Sequence, residues 1–288
     1  MTRGGAPAAP FPPGEGGEDR RPAAAGDGVG SAKRGNPLSP SYSGPGWALY
    51  TGNCIEVIST TIPEASVDLI FADPPYNLSN GGTTCRSGKR ASVNKGRWDR
   101  SEGFEADHAF HAAWLRACRR VLAPTGTLWA SGTEHVIFTL GYELKRAGWH
   151  ILNLVTWEKP NPPPNLGCRT FTASTELLIW AAPRRTQPLA HTFNYAALKA
   201  DNGGKQMKDV WRLSAPTKAE KAGIDHPTQK PEALLERIIA ASSAPGDVVL
   251  DPFVGGGTTG AVAVRQGRRF IGIDLDEKWV GTTARRIG

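Results

Sequence analysis

The chain has 288 residues, with 34 Lys and Arg against 27 Asp and Glu, a formal net charge of +7. That length suits one large α/β domain with appendages, and the basic excess favours a polyanionic partner. Four scattered cysteines with no C-x-x-C pair argue against a disulfide framework and a thiolate zinc site. No apolar run approaches the roughly 20 residues of a membrane span, so a cytoplasmic protein without a membrane partner is expected.

In chain order, residues 1–45 are Gly, Pro, Ala, Ser and charge, with almost nothing to bury, and are expected to form a disordered tail. Order is expected to begin at GWALYTGN, a short strand running into a turn, followed by a short helix in CIEVISTTIPEASVD. VDLIFADPPY reads as a strand buried inside a parallel sheet. Residues 77–103 form a long Gly/Ser/Lys/Arg-rich loop of the kind that is usually functional. A helix is expected in FEADHAFHAAWLRACRRVL, a turn at APTG, a strand in GTLWASG and another helix in HVIFTLGYELKRAG. Strands HILNLVTWEK and TELLIWAAP flank the proline-rich turn NPPPN, and Trp114, Trp129, Trp157 and Trp180 fall in these apolar segments as core. His108 and His111 read as a solvated helix face rather than metal ligands, and no metal site is expected. Residues 184–225 lose regular alternation and gain Lys, Arg, Asn and aromatics. Regularity returns over 226–288, with a helix starting near Pro231, strand DVVLD, a glycine turn and helix, strand RRFIGID and a last helix. Strands alternating with helices predict an α/β fold built on a doubly wound, mostly parallel sheet.

Two strand ends carry chemistry. In VVLDPFVGGGTTGAVAV a buried strand stops at Asp251, and Gly255, Gly256 and Gly257 allow a tight turn where a ligand comes close. Thr258 and Thr259 then open a helix whose free N–H groups favour a carboxylate or phosphate. Strand RFIGID ends in Asp274, about 20 residues past the first of these glycines, where an acid commonly accepts hydrogen bonds from ribose hydroxyls. The glycines lack the G-x-G-x-x-G spacing of dinucleotide sites, and no G-x-x-x-x-G-K-[ST] phosphate loop is present. A ligand with an adenosyl-ribose part is expected. The second strand end is Asp73-Pro74-Pro75-Tyr76, which faces the same crevice if DVVLD and VDLIFAD are neighbours where the strand order reverses.

DPPY, HPTQKP and DPFVGGGTT, in that order, closely resemble the β-class amino-methyltransferases of DNA, from about Trp47 to the C-terminus. SVNKGRWD, PNPPPNLGCRTFTAST and NGGKQMKDVW resemble the MboII-type adenine enzymes of restriction-modification systems. The resemblance implies a circularly permuted, Rossmann-like methyltransferase fold using S-adenosyl-L-methionine. Residues 46–183 would be the catalytic half, 184–225 a target-recognition region and 226–288 the cofactor half, with GWALYTGN filling the sheet position that the C-terminus leaves open.

It also implies roles. The exocyclic N6 amine of adenine is a poor nucleophile because its lone pair is delocalised. The Asp73 carboxylate and Pro74 carbonyl would draw its hydrogens, with both prolines fixing the backbone beforehand. Tyr76 would stack on a base flipped out of double-stranded DNA. Cofactor contacts would come from Thr228, Gln229, Lys230, Asp251, Phe253, Gly255, Gly257, Thr258, Thr259 and Asp274, and from Asn53 and Cys54 around the adenine, with Asp73 at the methyl end. Asn53 departs from the family's usual Asp, which predicts altered affinity. Arg86, Lys89, Arg90, Lys95, Arg97 and Arg100, beside the catalytic turn, would grip phosphates, as would Lys199, Lys205, Lys208 and Arg212. The leading Asp of DPPY favours adenine, since Ser is commoner in cytosine-N4 relatives, so cytosine N4 stands as the alternative target and a non-catalytic DNA-binding module as a remoter one. Any cognate endonuclease would be a separate protein, and a homodimer is compatible with the sequence.

Overall fold

The computed structural model describes residues 37–79, 83–86, 89–92 and 95–288, leaving out the side chains of residues 83–86, 89–91 and 97. Residues 1–36 of the expected tail lie outside the described residues. The strands are β1 (Tyr42–Gly44), β2 (Trp47–Thr51), β3 (Val67–Ala72), β4 (Thr83–Arg86), β5 (Lys89–Ser92), β6 (Leu122–Gly132), β7 (His150–Glu158), β8 (Thr175–Ala182), β9 (Val210–Arg212), β10 (Val248–Asp251) and β11 (Arg269–Asp274). The helices are α1 (Cys54–Thr61), α2 (Phe104–Val121), α3 (Ile137–Arg146), α4 (Tyr195–Asp201), α5 (Glu232–Ser242), α6 (Thr258–Arg265) and α7 (Glu277–Ile287). No helix among the described residues is long and apolar enough to cross a membrane.

Among the described residues, nine strands form one sheet in the order β1-β2-β11-β10-β3-β6-β8-β7-β9. Pairing is parallel from β2 through β11, β10 and β3 to β6, while β8 runs antiparallel between β6 and β7. The apolar runs read as buried strands are buried because both faces of the sheet are covered. Alternate side chains divide between two cores, as the period of two requires. Ile70, Ala72, Leu128 and Ala130 pack with α1, α2 and α3, whereas Leu69, Phe71 and Trp129 pack with α5, α6 and α7. Winding proceeds from β3 toward β6 on one side and from β10 toward β11 on the other. Its direction therefore reverses between β3 and β10, where a doubly wound sheet opens a crevice.

Several expectations need correction. β1 lies inside the stretch assigned to the tail. It is ordered because its backbone pairs antiparallel with β2 and the hydroxyl of Ser41 bonds that of Thr51 at 3.0 Å. APTG is not a turn between elements: while β3 steps from Val67 to Leu69, its partner β6 goes from Leu122 to Thr127, so APTG bulges out of a continuous strand. The loop 77–103 contains the antiparallel hairpin β4-β5 and a 3₁₀ turn at Arg97–Asp99. Residues 184–225 are fused to the sheet, since β9 extends its edge beside β7 and the Asn194 side chain before α4 donates to Ala240 O and Ser243 O at the end of α5. His111 does not lie on a solvated face. It is buried, its Nδ1 accepts from Trp114 Nε1 at 3.0 Å, and burial pushes its pKa down to about 4.

Candidate active site

The C-terminal ends of β3 and β10 open onto one cavity of about 1130 Å³. It is lined by Asn53, Cys54, Asp73 to Tyr76, Thr228 to Lys230, Phe253, Gly255 and Asp274, among others. Small-molecule sites usually occupy roughly 300–1,000 Å³, so this space can take a cofactor and part of a second substrate together.

The glycine turn is held from below by Asp251. Its Oδ1 accepts from Phe253 N at 2.9 Å and its Oδ2 from the Thr259 hydroxyl at 2.5 Å. Burial pushes this carboxyl from the usual value near 3.8 up to about 7. Asp251 thus shapes the turn and does not line the large cavity. Gly255 and Gly257 have φ of 47° and 75°, in the region that favours glycine, and a Cβ on Gly257 would lie 2.6 Å from Thr283 Oγ1. A Cβ on Gly255 would meet the His226 ring at 2.9 Å. Thr258 and Thr259 are buried and line a small side pocket together with Asp73, Thr228, Gln229 and Lys230.

Asp274 accepts from Gly255 N at 2.9 Å through Oδ2 and from Asp276 N at 3.0 Å through Oδ1, which leaves a lone pair on each oxygen. Burial raises its pKa. Asn53 caps α1 by accepting from Ile55 N at 2.9 Å, a role that Asp would fill equally well. Cys54 is buried and its thiol is pushed up to about 12 by desolvation, so it is inert as a nucleophile.

At the other end of the cavity Asp73 has three partners. Lys230 Nζ donates to Oδ2 at 2.5 Å, while Ser131 Oγ and Tyr76 OH donate to Oδ1 at 2.6 and 2.7 Å. Burial alone would raise the Asp73 pKa, but the Lys230 charge and these hydrogen bonds outweigh it and hold the carboxyl below its usual range. Burial would likewise lower Lys230, and the Asp73 and Glu176 charges raise it instead, so the pair is ionised. Tyr76 is raised well above its usual value, by burial first and then by the same two carboxylates.

Asp99, buried at the end of the 3₁₀ turn, accepts from Tyr76 N at 3.0 Å, Leu78 N at 3.2 Å and Ser79 Oγ at 2.9 Å, and so fixes the backbone leaving the DPPY turn. Sequence reading missed Asp99, Ser131, Lys159, Glu176 and His226 as site residues. A Glu inside the apolar run TELLIWAAP was the available signal for Glu176.

The basic residues separate. Lys95 lines the cavity, and burial lowers its pKa. Arg100 is exposed nearby. The side chains of Arg86, Lys89, Arg90 and Arg97 lie outside the described residues. Lys199 lies on α4, Lys205 and Lys208 follow it exposed, and Arg212 on edge strand β9 lies 3.7 Å from Glu158. None of these last four lines the cavity.

A doubly wound, mostly parallel sheet, with a glycine turn after one strand, an aspartate closing the next and the DPPY turn across the crevice, is the frame expected of S-adenosylmethionine-dependent methyltransferases that modify amino groups. Residues 67–285 match the N6_N4_Mtase family, described as DNA methylase, and the chain belongs to that family. It is an S-adenosylmethionine-dependent DNA methyltransferase. It is 49% identical over 248 residues to the Type II methyltransferase M2.DpnII of Streptococcus pneumoniae, covering 86% of this chain and 92% of that one. It is 48% identical over 238 residues to M2.MboI of Moraxella bovis, covering 83% and 86%. Among solved structures, M1.HpyAVI in complex with S-adenosylmethionine superposes with a TM-score of 0.63 at 25% identity, covering 84% of this chain and 99% of that one. The cytosine-N4-specific PvuII methyltransferase shares the fold, with a TM-score of 0.67 at 19% identity, covering 88% and 90%.

The residues present fit the cofactor. Asp274 keeps acceptors for hydroxyls, the glycine turn leaves no side chain in the way, and Gln229 Oε1 is buried without a partner beside it.

Two outcomes are expected. The raised Asp251 pKa stabilises the protonated form, so its contribution is fully present below about 3.8 and is lost as pH rises through about 7. Asp251→Asn removes that loss: its urea-derived stability, compared with wild type, should gain up to about 1.4 kcal/mol per pH unit across this window. Gly257→Ala should destabilise the fold by about 1–3 kcal/mol and weaken S-adenosylmethionine binding in calorimetry, because it combines a strained φ with the Thr283 clash.

Proposed function

We propose that the chain methylates the N6 amine of adenine at a specific sequence in double-stranded DNA, as the modification enzyme of a restriction-modification system. The observation that carries this reading is the single cavity shared by the DPPY turn and the glycine turn. When bound, S-adenosylmethionine supplies an electrophilic methyl group. The chain's residues do the rest by position: Asp73 and the Pro74 carbonyl accept the amine's hydrogens and draw its lone pair out of conjugation, and Tyr76 supports the flipped base.

Asp274 would take the ribose hydroxyls, Asn53, Cys54 and Phe253 the adenine end, and Thr228 and Gln229 the methionine end, with Gly255 and Gly257 giving the backbone its approach. The groups at Asp251, Thr258 and Thr259 hold that turn from behind. Lys95 and Arg100, with Arg86, Lys89, Arg90 and Arg97, would grip phosphates. The segment 184–225, with Lys199, Lys205, Lys208 and Arg212, would read sequence context from the sheet edge. Action on nucleoid DNA in the cytoplasm, a cognate endonuclease encoded separately and a homodimer complete the reading.

The test is to treat unmethylated genomic DNA, and then duplex and single-stranded oligonucleotides, with the protein and S-adenosylmethionine. N6-methyladenine is expected by nucleoside mass spectrometry, at one sequence context by long-read sequencing; N4-methylcytosine instead would assign the alternative target. Asp73→Asn should lower transfer by about a hundredfold or more while melting cooperatively, because Lys230 keeps Glu176 as a counter-charge. Asp73→Ala is a poorer probe, since it leaves a buried ammonium more weakly matched.

A further inference from the structure

Three of the four lone pairs that Asp73 can offer the target amine are taken in this structure, with Ser131 Oγ on Oδ1 at 2.6 Å beside two donors that can move. Lys230 Nζ sits 2.5 Å from Oδ2, and the Tyr76 hydroxyl sits 2.7 Å from Oδ1. Both competitors have the same second carboxylate within reach. Glu176 Oε2 lies 3.5 Å from Lys230 Nζ and 3.3 Å from Tyr76 OH, while Glu176 Oε1 is held at 2.5 Å by Lys159 Nζ. The four charged side chains are largely buried, with Lys230 6%, Glu176 13%, Asp73 17% and Lys159 23% exposed.

An amine that attacks a methyl group gains positive charge. An ammonium bound to Asp73 opposes that charge and occupies the carboxylate the amine must use. Expelling Lys230 from its carboxylate with no other partner would leave a buried, uncompensated charge. Glu176 removes the difficulty, because a shift of less than about 1 Å brings Lys230 from 3.5 Å into a charge-assisted hydrogen bond. The Tyr76 hydroxyl has one proton and can donate it to either carboxylate. Glu176 itself stays put: it lies in β8, paired opposite Trp157, and Lys159 anchors its other oxygen.

We propose that Glu176 is a positioning residue, the alternative carboxylate that takes Lys230 and Tyr76 off Asp73 as the target amine arrives. No covalent bond changes in this step. An ammonium and a hydroxyl exchange one acceptor for another, and the amine's N–H groups take the acceptors released. The inference rests on the reading of the site as one for a DNA amino group.

The test uses the full chain, the sequence context found by long-read sequencing, and two duplexes with either adenine or purine, which lacks the amino group, at the target position. Affinity is read by fluorescence anisotropy with S-adenosylhomocysteine present, and kcat is read with the adenine duplex. Wild type should prefer the adenine duplex. Glu176→Gln should lose that preference and lower kcat by roughly tenfold or more, with cofactor affinity in calorimetry unchanged. Glu176→Asp should restore part of both. If Glu176→Gln keeps the preference and kcat, or weakens both duplexes equally with the preference intact, the hand-off is wrong and Glu176 is scaffold. A wild-type protein that methylates the adenine duplex but binds both duplexes alike also overturns it, whereas a wild type that methylates no DNA overturns the underlying reading as well.

Discussion

Lys230 and Asp73 stand 157 positions apart in the chain and 2.5 Å apart in the fold. The lysine belongs to the segment leading into α5, in the half that carries the glycine turn, and the aspartate closes β3 in the other half. Their contact is the point where the two halves meet inside the crevice. A buried ion pair adds little net stability compared with apolar packing, because desolvation offsets most of the attraction. What it does is hold position: Asp73 and Glu176 both face Lys230 from the other half, so the two turns are kept at the distance at which one cavity serves both.

That contact forms only because the sheet brings β3 and β10 side by side as parallel neighbours, with Val249 opposite Leu69 and Leu250 opposite Ile70. The register is secured by burial on both faces, since a slip of one residue would exchange the two cores. Each strand then ends in a device that stiffens the backbone at the crevice. After β3 it is two prolines, with Asp99 bonded to Tyr76 N and Leu78 N. After β10 it is Asp251, bonded to Phe253 N and Thr259. Two carboxylates, Asp99 and Asp251, therefore do the positioning of the two turns.

Much of this was legible in the sequence because it depends on local pattern. The apolar runs of β3, β10 and β11, the glycines with φ of 47° and 75°, and the order of the DPPY and glycine turns are local signals that fix the fold class and the two ends of the site. The features that escaped are set by partners distant in sequence. APTG has turn composition, yet pairing with β3 on either side absorbs it as a bulge. β1 and β9 are three-residue strands that exist only because an edge of the sheet accepts them. Glu176 looks like a misplaced acid in an apolar strand until Lys159 and Lys230 are brought to it from other elements. Asp251 also shapes the turn it precedes, because Phe253 N and the Thr259 hydroxyl, brought round by that turn, both donate to it.

Tyr76 shows how the charged network and the expected stacking fit together. The hydroxyl of Tyr76 lies on the ring's long axis, so its 2.7 Å bond to Asp73 fixes where the far end of the ring sits before a base arrives. Lys230 Nζ lies 5.2 Å from the ring centroid, close enough for a cation–π contact on one face. The same hydroxyl bond that competes for Asp73 therefore also anchors the far end of the ring, and transferring it to Glu176 Oε2, 3.3 Å away, would keep the ring anchored while releasing the acceptor. A phenylalanine here would lack that anchor.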